Sequence, residues 1–160
     1  MRREDRANRD AEAMDRFILS CDTCRLGFQS PEGVYIVPMS FGYRREGDRR
    51  AFFFHGAIKG RKMQLLKTGQ PVGFELDRNL GLIEGPEACA FSTRYQSVIG
   101  TGEARVLESP EDKAEALNHL MLHLTGRGDW DFPTAVLART AVFRLDVKSI
   151  SFKANTGEEP

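Results

Sequence analysis

Apolar positions along the chain follow two periods. Ala11, Met14, Phe17, Ile18 and Cys21 fall three and four residues apart, the spacing of one helical face, so a first helix is predicted near 9–21. Val34 to Tyr43, VYIVPMSFGY, is instead dense in β-branched and aromatic residues and follows the turn signal Ser30-Pro31-Glu32-Gly33, which predicts a strand. Pro38 cannot donate to a ladder, so this strand is expected at an edge or interrupted there. The polar stretch Arg44 to Arg50 leads to Ala51-Phe52-Phe53-Phe54-His55, and the two apolar runs are expected to pair as a hairpin. Further strands are predicted at Pro71–Asp77, Cys89–Arg94, Ser97–Leu107 and Thr140–Val147.

Helical signals interrupt the strands twice. Arg61 to Lys67 is bounded by Gly60 and Gly69. Ser109-Pro110-Glu111-Asp112 opens a longer helix: the serine suits the N-cap, the proline the first helical position, and the two acids the positive end of the dipole. Leu117, Leu120, Met121 and Leu124 then line one face. About six strands joined by hairpins, without regular βαβ alternation, predict a mainly β antiparallel barrel or sandwich. Phe52 and Phe54 should face one side of their strand and Phe53 and His55 the other. Both sides then need cover, from the barrel interior and either a partner subunit or the chain's own Ser109–Leu124 helix.

The length of 160 residues fits one domain, residues 1–160, with 1–22 as an amino-terminal arm and helix. Lys plus Arg number 23 and Asp plus Glu 23, so the excess cationic surface of a non-specific nucleic-acid binder is missing. Residues 1–16 carry five charges of each sign, which suggests a solvated arm rather than a polybasic tail. There is neither a long apolar span nor a secretory h-region, and three cysteines do not make a disulfide framework. A soluble, cytoplasmic domain without membrane or nucleic-acid partners is expected.

Candidate chemistry narrows quickly. Cys21-Asp22-Thr23-Cys24 and His119-x-x-x-His123 have zinc-like spacings, but the pairs lie about a hundred residues apart, and Leu120 stands where a zinc protease needs Glu. They are read as a helix-end cysteine pair and two packed or surface histidines, with a metal-stabilised domain as the alternative. Gly100-Thr101-Gly102 lacks the third glycine of a dinucleotide fingerprint, and no G-x-S-x-G is present. The informative segment is Phe52-Phe53-Phe54-His55-Gly56-Ala57-Ile58-Lys59-Gly60-Arg61-Lys62, which runs from an apolar strand through glycines into a short helix. Lys59, Arg61 and Lys62 gather at the positive end of that helix, where a bound phosphate would reverse an otherwise unfavourable clustering. Three solvated cations remain the alternative. His55, at the end of its strand, could serve in proton transfer or anion pairing, or as a structural residue.

Together with their surroundings these residues resemble the flavin-binding split-barrel superfamily of pyridoxamine 5′-phosphate oxidase, and within it the nitroimidazole-resistance branch. Four blocks carry the resemblance in order: MRREDR at the amino terminus, VPMSFGY at 37–43, FHGAIKGRK at 54–62 and YQSVIGTGEA at 95–104. The resemblance implies a six-stranded antiparallel split β-barrel with flanking helices, binding FMN at a homodimer interface. It implies that Met39, Ser40 and Phe41 lie against the isoalloxazine, that Arg61 and Lys62 hold the phosphate, that His55 and Gly56 sit beside the flavin, and that Ser97 and Val98 approach the ring. Gly60 stands where the oxidases often carry a serine, and their basic residues for pyridoxal phosphate are missing. The activity implied is therefore an FMN-dependent reductase, passing electrons from a reduced nicotinamide to a small aromatic acceptor, with His55 catalytic. A flavin- or haem-binding module without turnover is the alternative.

Overall fold

The computed structural model describes the backbone of residues 7–8 and residues 10–157 in full. The charged MRREDR block at the start of the expected arm lies outside the described residues. Helix α1 spans Ala11–Leu19, shorter than expected because Asp10 caps it, its carboxylate accepting from the amides of Glu12 and Ala13 at 2.9 and 3.1 Å. Met14, Phe17 and Ile18 are its buried face.

The strands are β1 (Ala7–Asn8), β2 (Cys24–Ser30), β3 (Gly33–Met39), β4 (Gly42–Glu46), β5 (Arg49–Ala57), β6 (Pro71–Ile83), β7 (Ser92–Val106) and β8 (Thr140–Asn155). All pairings are antiparallel, in the order β3-β2-β6-β7-β8-β5-β4, with the two-residue β1 on β8. Among the described residues the expected six-stranded barrel is thus corrected to seven strands in an open sheet, with the two-residue β1 as a short eighth on β8. Three local features account for the difference. Cys24–Ser30 is a strand in its own right, its Cys24, Leu26 and Phe28 buried in alternation. The stretch read as one strand over 34–43 is two, broken at Ser40-Phe41, so β3 pairs with β2 and it is β4 that pairs with β5. Only Gly47 and Asp48 separate that hairpin. Residues 88–90 form a 3₁₀ turn, so the strand expected from Cys89 starts at Ser92 and runs unbroken to Val106.

Only Ser40 and Phe41 join the two edge strands, and a two-residue link spans roughly 10 Å at most. The sheet therefore curls strongly, and its concave face encloses one core: Leu26, Phe28, Phe41, Phe52, Phe54, Phe74, Leu76, Val98, Phe143 and Leu145, closed by α1. The convex side of β5 carries a second cluster. Ala51, Phe53 and Val142 pack against Leu107 and against Ala116 and Leu117 of α3 (Pro110–Thr125), with Leu137 of α4 (Thr134–Leu137). The chain's own helix is thus the cover on that face. Helix α3 is capped as its sequence predicts, with Ser109 Oγ accepting from the Asp112 amide at 3.0 Å and Pro110 in the first turn. It lies so close to β4 that a Cβ on Gly42 would meet the Leu120 amide nitrogen at 2.4 Å, so only glycine fits there.

Candidate functional site

Strand β5 ends at Ala57, and Gly60 (φ 123°) turns the chain into the six-residue helix α2, Arg61–Leu66, anchored by buried Met63 and Leu66. This junction delivers Arg61 and Lys62 to the open end of the sheet. Lys62 reaches back over the concave face: its Nζ lies 3.0 Å from Met39 Sδ and 5.7 Å from the centre of the Phe143 ring. Gly56 makes the room, because a Cβ there would sit 2.9 Å from that Nζ. A thioether is a weak acceptor, and no carboxylate pairs with this ammonium among the described residues. Burial alone pushes the Lys62 pKa below its ordinary value. A half-buried cation without an anion is a costly arrangement unless something else supplies the charge.

Arg61 turns the other way. Its Nη2 donates to Ser30 Oγ and to Glu32 Oε2, both at 2.7 Å, and its guanidinium lies 4.8 Å from the centre of the Tyr35 ring. It is held by the β2–β3 hairpin, a set of partners 26 to 31 residues earlier in the chain that local sequence patterns do not reveal.

The other site residues named from the sequence are placed as follows. Met39 is half-buried against Lys62, and Ser40 is exposed at the link between the edge strands. Phe41 and Val98 are fully buried, Phe41 packing on Phe52 at 5.5 Å and His123 at 4.4 Å, so their side chains belong to the core and only their backbone borders the surface. His55 is exposed, opposite Val142, and strand alternation sends it to the face away from Gly56 and Lys62. Ser97 is half-buried, registered between Asp77 and Lys153. On the same outer face Ile99, Gly100, Thr101, Ser149, Ile150 and Ser151 line a shallow depression of about 290 Å³. The structure thus brings Met39, Gly56 and Lys62 together, holds the Arg61 side chain at the β2–β3 hairpin instead, and sets His55 and the Ser97–Val98 segment apart from them.

The cysteine and histidine pairs do not form a metal centre among the described residues. Cys21 and Cys24 are buried free thiols, their pKa values raised by desolvation. His123 Nε2 lies 2.8 Å from the Cys21 carbonyl, which makes it the donor nitrogen, and His119 stacks on Phe53 at 4.7 Å.

The site has a counterpart that sequence reasoning missed. Asp15 of α1 accepts from Tyr43 Oη at 2.5 Å, Arg45 Nη1 at 2.6 Å and Arg50 Nε at 3.1 Å, tying the helix to the β4–β5 hairpin. Burial raises the Asp15 pKa, but these hydrogen bonds outweigh it and leave the net shift downward.

Comparison with known proteins agrees with this architecture. The pyridoxamine 5′-phosphate oxidase family model matches residues 10–154, and the chain belongs to that family. Among solved structures, a protein proposed to confer 5-nitroimidazole antibiotic resistance in Bacteroides thetaiotaomicron is 26% identical, with 92% of this chain and 85% of that one covered at a TM-score of 0.77. The flavocytochrome Anf3 of Azotobacter vinelandii is 25% identical over 98% of this chain and 72% of its own, TM-score 0.83. The FAD and heme binding protein of Mycobacterium smegmatis, 19% identical, shares the fold over 97% and 77% of the two chains, TM-score 0.82. No curated protein matches the chain by sequence. No helix among the described residues is long and apolar enough to cross a membrane.

Proposed function

From membership of that family, we propose that the chain is an FMN-dependent oxidoreductase of the nitroimidazole-reductase kind, cytoplasmic and built on the curled open sheet described above. The observation that carries this reading is Lys62: a half-buried ammonium with a sulfur for a neighbour and, among the described residues, no carboxylate, at the mouth of a curled sheet. A phosphate is the anion that the corner fits. Lys62 and Arg61 would hold it, with Gly56 keeping the approach open, and the backbone of Met39–Phe41 would border the ring. Bound there, FMN would supply hydride transfer between a reduced nicotinamide and a small nitroaromatic acceptor. His55, exposed on the opposite face of its strand, is proposed to bind or protonate the acceptor.

A homodimer with the flavin at the interface completes the proposal. Edge strand β3 exposes Val34 and Ile36 by 73% and 62%, apolar surface that a second copy would cover. The three cysteines, all free, suit a reducing compartment.

The test is the absorbance spectrum of the protein as purified, with mass identification of the released cofactor. Flavin bands and FMN are expected. A colourless protein that takes up no FMN would refute the reading. The likeness to a flavocytochrome and to an FAD and heme binding protein favours a second reading, a flavin- or haem-binding module without turnover of its own. A Soret band, or reduced flavin that no nitroaromatic reoxidises in stopped flow, would select it.

A further inference from the structure

We propose that Glu32 is an internal competitor for the phosphate-binding arginine and sets how strongly the site prefers a phosphorylated flavin; the inference rests on the phosphate role given above to Arg61 and Lys62. A guanidinium offers two forks to a phosphate, Nε with Nη2 and Nη1 with Nη2, and Nη2 belongs to both. In this structure Nη2 of Arg61 already donates to two acceptors, Ser30 Oγ and Glu32 Oε2, each at 2.7 Å. With both of its hydrogens engaged, neither fork can take two phosphate oxygens. A phosphate must therefore displace Glu32, or settle for single hydrogen bonds from Nε or Nη1 with a carboxylate on the far side of the same guanidinium. Either route lowers the affinity of a phosphorylated ligand and leaves its unphosphorylated form untouched.

The turn is shaped to keep the carboxylate in place. Pro31 and Glu32 are the two-residue loop of the β2–β3 hairpin, Gly33 takes φ 115°, and Ser30 Oγ donates to the Gly33 carbonyl at 2.7 Å. Stacking on Tyr35 fixes the plane of the guanidinium. The pair is nonetheless releasable: the side chains of Arg61 and Glu32 are 46% and 71% exposed, and ion pairs that open to water are weak. Lys62, which has no such partner among the described residues, stays available throughout, so the competitor tunes affinity without closing the site.

Titration of FMN and of riboflavin, followed by flavin fluorescence, against the wild-type protein, Glu32→Gln, Arg61→Ala and the double variant tests this. Glu32→Gln should bind FMN about two- to fivefold more tightly, with riboflavin affinity unchanged. In the Arg61→Ala background the same substitution should gain less than about twofold. Unchanged or weaker FMN binding by Glu32→Gln would overturn the competitor and make Glu32 a support for Arg61. A wild-type protein that binds FMN no better than riboflavin would overturn the phosphate role itself, and the competitor with it; the two failures are read from different samples.

Discussion

Two half-buried polar groups lie against the same face of β5, one by Arg50 at its start and one by Gly56 at its end, and they meet the problem of buried charge in opposite ways. At Asp15 the solution is internal: the carboxylate, 15% exposed, is met by Tyr43, Arg45 and by Arg50, which is itself 9% exposed. At Lys62 no carboxylate answers the charge among the described residues, and the acceptor it meets is a methionine sulfur. Evolution of a merely structural lysine would be expected to supply a carboxylate or let the side chain extend into water. The contrast teaches where stability is held and where a ligand is awaited: matched charges fasten helix to sheet, and the unmatched one faces the mouth of the curl.

The largest effect should come from breaking the matched cluster. Asp15→Ala leaves the buried Arg50 guanidinium without its counter-ion and is expected to cost about 3 kcal/mol in urea unfolding, with little change in the FMN affinity of the folded fraction. The mirror experiment, Arg61→Ala with Lys62→Ala, should lower FMN affinity about 30-fold, on the order of 2 kcal/mol, while the urea midpoint stays near that of the wild type. Exchange of these two outcomes would invert the assignment of roles.

Acid sharpens the comparison further. The folded-state pKa of Asp15 is held below its ordinary value of 3.8. Its contribution to stability is therefore complete above that value and is lost as the pH falls through the folded pKa, in the range below about pH 4. Asp15→Asn should be less stable at neutral pH and should lose less on acidification, which thermal melts at successive pH values would show. The smallest effect belongs to Lys62→Met. Replacing an uncompensated ammonium by an apolar chain of similar length is expected to raise stability by about 0.5 kcal/mol, a gain that a matched lysine would not give.

Much of the scaffold was legible from local chemistry. Ser109-Pro110 announces α3, and the FFFH run announces β5, because caps and alternation act over a few residues. Strand β2 carries the same alternation, Cys24, Leu26 and Phe28 between Arg25, Gly27 and Gln29, but only three apolar positions mark it and Cys24 also belongs to the C-x-x-C pair. The break at Ser40-Phe41 was hidden because the apolar run continues through it, and only pairing assigns the two halves to opposite edges.

The site was legible in its cations and not in their partners. Arg61 and Lys62 stand in one short motif, but Glu32 and Met39 reach them through the curl of the sheet, and Asp15 meets Tyr43, Arg45 and Arg50 across 28 to 35 residues. Such contacts are products of topology rather than of spacing. The same topology sets His55 on the far face from Lys62 and sends Phe41 and Val98 into the core, distinctions that a motif does not draw.

The central claim, that the Lys62 corner holds the phosphate of a bound mononucleotide, is tested most directly by a crystal structure of the protein grown with FMN. The account predicts phosphate oxygens within hydrogen-bonding distance of Lys62 Nζ and of Arg61. A flavin seated elsewhere, with that corner free of phosphate and both side chains turned into bulk solvent, would contradict it.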